Sequence, residues 1–344
     1  MKKQSKLLAL LLACAMTLAL SACGGNSATT STPAGSAAPA ASGSAAATGD
    51  KTYTIGICQL VQHNALDAAT KGFKDALTEK LGDKVKFDEQ NAAGDSATCA
   101  TICNQFVSSN VDLIMANATP ALQAATAATN SIPILGTSVT DYGTALSIAD
   151  WKGTTGTNVT GTADLAPLDK QAEMIKTLFP DKKTVGILYC SAEPNSKYQS
   201  TEITKYLTDA GYTCKEFTFA DSNDVAAVTK TACDESDVIY IPTDNTAASC
   251  AESINNVAEP AKVPIVAGES GICTGCGVAT LSIDYYDLGV VTGNMAYEVL
   301  VNGADPATTE IQFAPKTTYQ YMADRCEKLG VKVPSDYVAI EVEK

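Results

Sequence analysis

The sequence predicts an α/β protein built from two lobes, each a doubly wound parallel sheet covered by helices. Short runs of β-branched residues alternate with amphipathic stretches of helical period along most of the chain. The alternation occurs in two successive series, separated by a glycine- and threonine-rich segment at 153–161. The length of 344 residues leaves room for about two domains of ordinary size. Strand–helix alternation is typical of parallel sheets whose faces are covered by helices.

The first series begins with an apolar run at 53–58 that predicts a buried strand. A helix is predicted directly after it, at 64–81, because Leu66, Ala69 and Phe73 recur at helical spacing. Pro120 favours a helix start, since proline lacks the amide hydrogen that the first helical turn leaves free. Further strands are predicted at 85–87, 111–116 and 132–135, and further helices at 96–107 and 120–128.

The second series begins with a helix predicted at 167–178. A later amphipathic helix is predicted after Asp284 and Asp287, where acidic side chains favour a helix N-terminus. Strands are predicted at 184–189, 212–219, 237–241 and 263–266, and helices at 197–210, 225–232 and 246–257.

The N-terminal segment predicts export and membrane attachment. Residues 1–22 combine three lysines with an apolar stretch that is too short to span a bilayer comfortably, which predicts a signal peptide. Cys23 follows the tripeptide Leu-Ser-Ala, which resembles a bacterial lipobox, so we expect lipidation at Cys23 outside the cytoplasm. The tract at 23–51 is rich in Ala, Ser, Gly and Thr and predicts a flexible linker. An uncleaved membrane anchor is the alternative interpretation.

Charge and motif content exclude several functions. The net charge of −14 disfavours a phosphate-binding groove, so no nucleic-acid partner is expected. No GxGxxG follows the first strand, and the chain lacks the GxxxxGK[ST], GxSxG and HExxH patterns. His63 is the only histidine, so a histidine-dependent nucleophile would have to be built on it. We therefore expect neither catalysis nor a cofactor.

The 12 cysteines leave two interpretations open. Cys14 lies in the predicted signal peptide and Cys23 at the predicted lipidation site, and the others belong to the folded part. Cys99 and Cys103 lie four apart on a predicted helix, and 273–276 is a CxxC, which would suit a zinc or redox site. The interpretation we favour is buried thiols that pack as small apolar side chains, with a few surface disulfides and no metal.

Polar residues follow the predicted strands in both lobes. Ligands of parallel α/β sheets bind where the strands end, and helix N-termini that open there favour a carboxylate. Helix capping is the alternative role for Thr119, Ser196 and Asp244. The candidate ligand-binding residues are Gln59, His63, Thr119, Thr140, Asp141, Glu193, Asn195, Ser196, Thr243, Asp244, Asn245, Glu269, Asp284 and Tyr285.

Several of these post-strand segments are distinctive as sequences. They are 62–73, 118–121, 140–141, 158–164, 193–196, 242–245 and 284–289. Together they resemble the corresponding segments of ABC-transporter substrate-binding proteins of the tryptophan/tyrosine-binding type, over nearly the whole folded part. The chain departs from the usual pattern of that family at Asn64, at Tyr142 and in the cysteine-bearing segment 271–277.

The resemblance implies a type I periplasmic-binding-protein fold, with hinge strands and a ligand held between the lobes. The implied function is that of a monomeric, lipid-anchored receptor that delivers a small ligand to an ABC permease in the membrane. Lobe 1 is expected at 52–160 and 285–318, and lobe 2 at 161–284 and 319–344. Hinges are expected at 158–161, 282–284 and near 317–321.

The resemblance also suggests an aromatic amino acid as the ligand. Tyr142, Tyr285 and Tyr286 lie next to the expected cleft segments and could stack on its ring. A desolvated zwitterion needs a partner for each charge. We expect Thr119, Asn195 and Ser196 at the α-carboxylate, and Asp244, Glu269 or Asp284 at the ammonium.

Three alternatives remain at this point. A ligand-sensing ectodomain would use the same cleft to control a kinase or chemoreceptor. A binding protein of this fold could hold another amino acid or a small polar solute. An extracytoplasmic enzyme would need a nucleophile and a base, which the motif content does not favour.

Overall fold

The computed structural model describes residues 51–341. The predicted signal peptide, the lipidation site at Cys23 and nearly all of the predicted linker lie outside the described residues. None of the helices within 51–341 is long and apolar enough to cross a membrane.

Strands and helices alternate through the first part of the chain. On the first strand, Ile55 and Ile57 pack into one apolar cluster and Cys58 into another, because successive residues of a strand point to opposite faces. The sheet is therefore covered on both faces. The elements are β1 (Tyr53–Gln59), α1 (Asn64–Leu81), β2 (Val85–Asn91), α2 (Ser96–Ser108), β3 (Leu113–Asn117), α3 (Thr119–Ala128), β4 (Ile134–Val139), α4 (Tyr142–Leu146) and β5 (Val159–Ala163).

The second part repeats the alternation, and the chain ends with shorter elements. The second part contains α5 (Leu168–Leu178), β6 (Thr184–Cys190), α6 (Pro194–Asp209), β7 (Thr213–Phe219), α7 (Val225–Glu235), β8 (Val238–Ile241), α8 (Asn245–Ser249), α9 (Ala251–Ala261), β9 (Ile265–Ala267), α10 (Ser270–Cys276) and β10 (Ala279–Ile283). The last part contains α11 (Tyr285–Asn302), β11 (Gln312–Phe313), β12 (Thr317–Tyr321), α12 (Ala323–Leu329) and β13 (Val338–Ala339).

The strands form two sheets, one in each lobe. The first has the order β11-β5-β4-β3-β1-β2 and is parallel throughout. The second has the order β13-β12-β10-β9-β8-β6-β7, in which only the β10–β12 pair is antiparallel. The predicted fold class, two doubly wound parallel-sheet lobes, is confirmed.

The chain crosses between the lobes three times. The crossings fall at 164–167, at Asp284 and at 314–316, between strands that belong to different sheets. The predicted lobe boundaries at 160/161 and 318/319 fall inside β5 and β12 instead. The hinge expected at 158–161 overlaps β5, which is paired along its length with β4 and so belongs to the first sheet.

Helix α11 begins at the second crossing and packs along α1 in the first lobe. The contact is close enough to require glycine: a Cβ atom on Gly289 would lie 2.0 Å from the carbonyl oxygen of Ala69. A Cβ atom on Gly72 would lie 2.1 Å from the carbonyl oxygen of Tyr286. Real Cβ contacts do not occur at such distances, so these glycines set the separation of the two helices.

Several elements differ from the predicted pattern. The helix predicted at 246–257 is two helices, α8 and α9, separated at Cys250. Helices α4, α10 and α12 and strands β11 and β13 were not predicted, and β5, β10 and β12 were expected only as hinge segments at 158–161, 282–284 and near 317–321. Strand β5 is buried but reads Val-Thr-Gly-Thr-Ala, so it lacks the large apolar side chains that indicate a buried strand; its Thr162 hydroxyl instead bonds to Thr137 and Thr292.

All ten cysteines of the described part are free thiols, so the surface disulfides we expected do not occur within 51–341. Most are buried and pack in the cores, as in the favoured interpretation. Burial raises the pKa of Cys276, in the CxxC segment on α10, to about 12. Within 51–341 no group of His, Cys, Asp and Glu side chains is arranged to hold a metal ion.

Candidate functional site

A narrow cavity, with a free volume of about 10 Å³, lies between the lobes at the carboxyl ends of both sheets. Loops that follow parallel strands meet at this edge of a sheet, which is where ligands of such folds bind. From the first lobe and the crossings it is lined by His63, Leu66, Ser138, Thr140, Asp164 and Tyr285, and from the second lobe by Asn195, Thr243, Asp244, Asn245, Ala248 and Glu269.

Hydrogen bonds join the two lobes beside the cavity, so the described conformation is closed. The Nε2 atom of His63 lies 3.2 Å from Oδ1 of Asn245. The Asn245 amide nitrogen donates to Glu193, so its oxygen faces His63 and the His63 Nε2 atom is the donor. On α6, Gln199 donates to the Thr140 hydroxyl at 3.4 Å and accepts from the backbone N–H of Thr243 at 3.1 Å.

Three buried carboxylates line the cavity, and none has a lysine or arginine partner within 51–341. Burial raises the pKa of Asp164 to about 6. Burial also raises the pKa of Glu269. The pKa of Asp244 is raised by burial and by the neighbouring charge of Glu193. The closed cavity is therefore an acidic site that favours a cation supplied from outside.

Glu193 and Asp244 also hold the second lobe together at this edge. Glu193 accepts hydrogen bonds from the backbone N–H groups of Asn245 and Thr246, at 3.0 and 2.8 Å. Asp244 accepts from Ser196 Oγ and from the backbone N–H of Ala247, each at 2.7 Å. Protein carboxylates thus occupy the N-terminus of α8, which we expected to be free for a ligand carboxylate.

Four polar atoms on the cavity wall are buried and have no hydrogen-bond partner within 51–341. They belong to side chains from both lobes, and buried polar atoms are ordinarily paired. Such atoms become satisfied when a ligand with matching donors and acceptors fills the space. The atoms are His63 Nδ1, Ser138 Oγ, Asn195 Oδ1 and Thr243 Oγ1.

The first lobe carries unusual backbone conformations at this edge. Ala118, after β3, has φ = 93°, and Ser138, near the end of β4, has φ = 53°. These left-handed conformations are unfavourable for residues other than glycine and tend to cluster at binding sites. Beside Ala118, the buried Thr119 hydroxyl at the start of α3 also lacks a partner within the described residues.

Only one of the three candidate tyrosines reaches the cavity. Tyr285 lines it, and its hydroxyl donates to Asp164 at 2.9 Å. Tyr142 is fully buried in the core of the first lobe, where it stacks on Trp151 and donates to the Thr162 carbonyl at 3.1 Å. Tyr286 is exposed, and its hydroxyl donates to Asp75. The expectation of ring stacking by Tyr142 or Tyr286 is therefore wrong.

The structure brings together eight of the candidate residues and places six elsewhere. Gln59 holds the loop before His63 by donating to Asp67 and to the Val61 carbonyl. Asp141 and Asp284 are N-caps of α4 and α11 outside the cavity, and Asp284 is exposed. Those on the cavity are His63, Thr140, Asn195, Thr243, Asp244, Asn245, Glu269 and Tyr285; those off it are Gln59, Thr119, Asp141, Glu193, Ser196 and Asp284.

Sequence reasoning missed four lining residues: Leu66, Ser138, Asp164 and Ala248. Asp164 directly follows β5 and could have been found if that strand had been recognised. Ser138 lies within β4, beyond the predicted end of the strand. Sequence reasoning also missed Gln199, a buried residue of α6 whose position in the sequence gives no sign of a role at the site.

A polar cavity between two lobes joined by three crossings is the architecture of the type I periplasmic-binding-protein fold, in which solutes bind between the lobes. A family model described as ABC transporter substrate binding protein matches residues 54–342, so the chain belongs to this family and the predicted resemblance is confirmed. Substrate-binding proteins of ABC transporters are extracytoplasmic, bind a small ligand and work with an ABC permease.

Known proteins that are similar to the chain include the following three. A tyrosine-binding protein from Clostridioides difficile is 40% identical over 265 residues, which is 75% of this chain and 76% of that protein. The structure of an ABC domain in complex with L-Trp from Streptococcus pneumonia is 35% identical and has a TM-score of 0.79, covering 83% of this chain and 97% of that one.

The third is the ligand-free, open structure of a substrate binding protein with adhesive properties from Clostridium difficile. It is 35% identical, covers 85% of this chain and 100% of that one, and has a TM-score of 0.65. Both structures are 35% identical to this chain in sequence, but the L-Trp complex has the higher TM-score, so its conformation is closer to the one described here. This agrees with the hydrogen bonds that join the lobes here.

Proposed function

We propose that this protein binds an aromatic amino acid in the interlobe cavity and delivers it to an ABC permease. The observation that carries the proposal is the cavity wall: four unpaired buried polar atoms and three buried carboxylates in a space enclosed by both lobes. A zwitterion supplies both a cation for the carboxylates and a carboxylate for the hydroxyls. A neutral sugar would leave the buried carboxylates without a cation.

The α-carboxylate of the ligand is held by donors that the protein leaves free. The hydroxyls of Ser138 and Thr243 are unpaired and line the cavity from opposite lobes. The N-terminus of α3, with the unpaired Thr119 hydroxyl, is not among the residues that line the cavity. The corresponding terminus of α8 is already occupied by Glu193 and does not contribute.

The side chain of the ligand packs against Tyr285 and Leu66. Stacking on Tyr285 would add about 0.5–1.5 kcal/mol beyond the area that an aromatic ring buries. Two relatives of 35–40% identity state a ligand, tyrosine in one and L-Trp in the other, and both support this assignment.

The protein acts as a monomeric receptor without catalysis. Lipidation at Cys23 anchors it to the membrane after the signal peptide at 1–22 is removed. The linker that follows gives it the reach to meet its permease. Recovery of unchanged ligand after prolonged incubation tests the absence of catalysis. Loss of membrane association in Cys23→Ala, with retention in Cys14→Ala, tests the anchor.

A thermal-shift screen of the twenty amino acids and of common sugars tests the proposed function. Tyrosine, tryptophan or phenylalanine at about 100 times its dissociation constant should stabilise the folded protein by about 2.7 kcal/mol. Tyr285→Leu should reduce the preference for aromatic over aliphatic ligands, whereas Tyr286→Leu, at an exposed position, should not. Stabilisation by leucine or by a sugar, without any by the three aromatic amino acids, would show that the ligand assignment is wrong.

A further inference from the structure

A second pocket lies in the second lobe, at the edge of its sheet opposite the interlobe cavity. Three connections form it: the loop from α5 to β6, the loop from α9 to β9, and the segment that follows α12. Because β6 and β9 are parallel strands, their amino ends, where these loops enter, lie away from the cavity. The pocket has a free volume of about 420 Å³, within the range of small-molecule sites.

The floor of this pocket is apolar. Leu178 and Phe179 are buried in the core of the second lobe, and Leu329 and Val331 pack against the same core. The carbonyl oxygen of Phe179 already accepts a hydrogen bond from the Tyr212 hydroxyl at 2.9 Å, so it needs no donor from a ligand. The floor therefore favours a hydrocarbon chain or ring.

The rim of the pocket is basic. Each connection contributes one exposed lysine, Lys182, Lys262 or Lys332, and none of the three forms an ion pair within 51–341, where nine other lysines do. Asp181 is the one acidic residue of the lining. Asp237, near Lys182, already accepts two backbone N–H groups, at 2.9 and 3.0 Å. Positive charge thus gathers at this pocket in a chain of net charge −14.

Helix ends explain only one of these lysines. A lysine at a helix C-terminus favourably offsets the helix dipole, and Lys262 follows α9 directly. Helices α5 and α12 already have Lys176 and Lys328 in their last turns. Lys182 and Lys332 lie at least three residues beyond the ends of these helices, where the effect of the dipole has faded. These two ammonium groups are therefore available to a ligand.

We propose that this pocket binds a small dissolved amphipathic anion, with its apolar part on the floor and its carboxylate or phosphate between the rim lysines. Lysine ammonium groups act as point charges and attract either head group. A neutral solute would leave the rim charges unused, and a small inorganic anion would leave the floor uncovered. The site shares no residue with the interlobe cavity and does not depend on the proposed function.

Calorimetry with octanoate as the probe tests the site. Octanoate should bind at least tenfold more tightly than octan-1-ol, which lacks the charge, and than acetate, which lacks the chain. K182Q/K332Q should weaken octanoate binding about tenfold or more. K84Q/K86Q makes the same change of charge at two exposed, unpaired lysines of the first lobe and should bind octanoate as the native protein does.

Amide chemical shifts in the isotopically labelled protein locate the bound probe. Octanoate should move the signals of Lys262 and Gly330, which line the pocket, and leave those of His63 and Thr243 at the interlobe cavity unchanged. Equal affinity for octanoate and octan-1-ol, or equal octanoate binding by the two double variants, would overturn the proposal. Shifts confined to the interlobe cavity would also overturn it. The aromatic ligand of the proposed function is measured separately, so that function stands or fails independently.

Discussion

Replacement of Asp244 by alanine should destabilise the second lobe strongly. The buried carboxylate accepts three hydrogen bonds of 2.7 Å, from the Cys190 N–H, the Ser196 hydroxyl and the Ala247 N–H. The bond from Ala247 caps α8. The other two hold the end of β6 and the start of α6 against the segment that follows β8. Alanine would remove all three bonds and leave buried donors behind.

The magnitude can be worked out from these contacts. A lost N-cap costs about 1 kcal/mol. A buried backbone N–H without an acceptor costs about 1–3 kcal/mol, and Cys190 would be left in that state. Ser196 Oγ still accepts a hydrogen bond from Asn195 Nδ2 at 3.3 Å, so this side chain is not left wholly unpaired. We therefore expect the free energy of unfolding to fall by about 3 kcal/mol.

Asp141→Ala is the matched control. Asp141 also caps a five-residue helix after a strand, with a 2.7 Å bond from the Thr144 N–H, but it is only partly buried and makes no second bond of this kind. Its loss should cost about 1 kcal/mol. Urea denaturation of the ligand-free proteins, monitored by circular dichroism, measures the loss of unfolding free energy in both variants. Equal losses in the two variants would refute the assignment of Asp244 to a structural network.

Three further predictions follow from single contacts. Thr243→Val removes an unpaired buried hydroxyl, so the stability of the ligand-free protein should not fall. Calorimetry should show about tenfold weaker ligand binding. A loss of stability would contradict the absence of a hydrogen-bond partner for this hydroxyl. Gly289→Ala should cost about 1–3 kcal/mol of unfolding free energy by separating α1 from α11, whereas the exposed Asn294→Ala should be near neutral. Burial raises the pKa of Asp164 to about 6, and a ligand ammonium needs the ionised carboxylate. Ligand affinity should therefore stay level above about pH 6 and fall below it, by up to about tenfold per pH unit. Calorimetry over the same pH range should show no such fall for D164N.

The fold could be predicted largely from hydrophobic periodicity. The buried strand at β1 and the apolar face of α1, with Leu66, Ala69 and Phe73, give unambiguous patterns. The failures have a physical cause. Strand β5 is buried through small and hydroxyl-bearing residues, and the division of α8 from α9 at Cys250 reflects tertiary contacts that local propensity does not encode.

The sequence predicted where the site lies better than it predicted the role of each residue in it. Post-strand location correctly directed attention to His63, Thr243 and Glu269. It could not distinguish a carboxylate whose oxygens are occupied by backbone donors, as in Glu193, from one that faces the ligand space, as in Asp164. That distinction depends on hydrogen bonds between residues far apart in the sequence.

Native mass spectrometry of the purified protein tests the central claim most directly. Protein isolated without denaturation should carry one bound molecule per chain whose mass is that of tyrosine, tryptophan or phenylalanine, and added aromatic amino acid should exchange with it. Thr243→Val should reduce the bound fraction, and Tyr286→Leu should not. A bound sugar or other molecule without an amine, not displaced by any aromatic amino acid, would contradict the account.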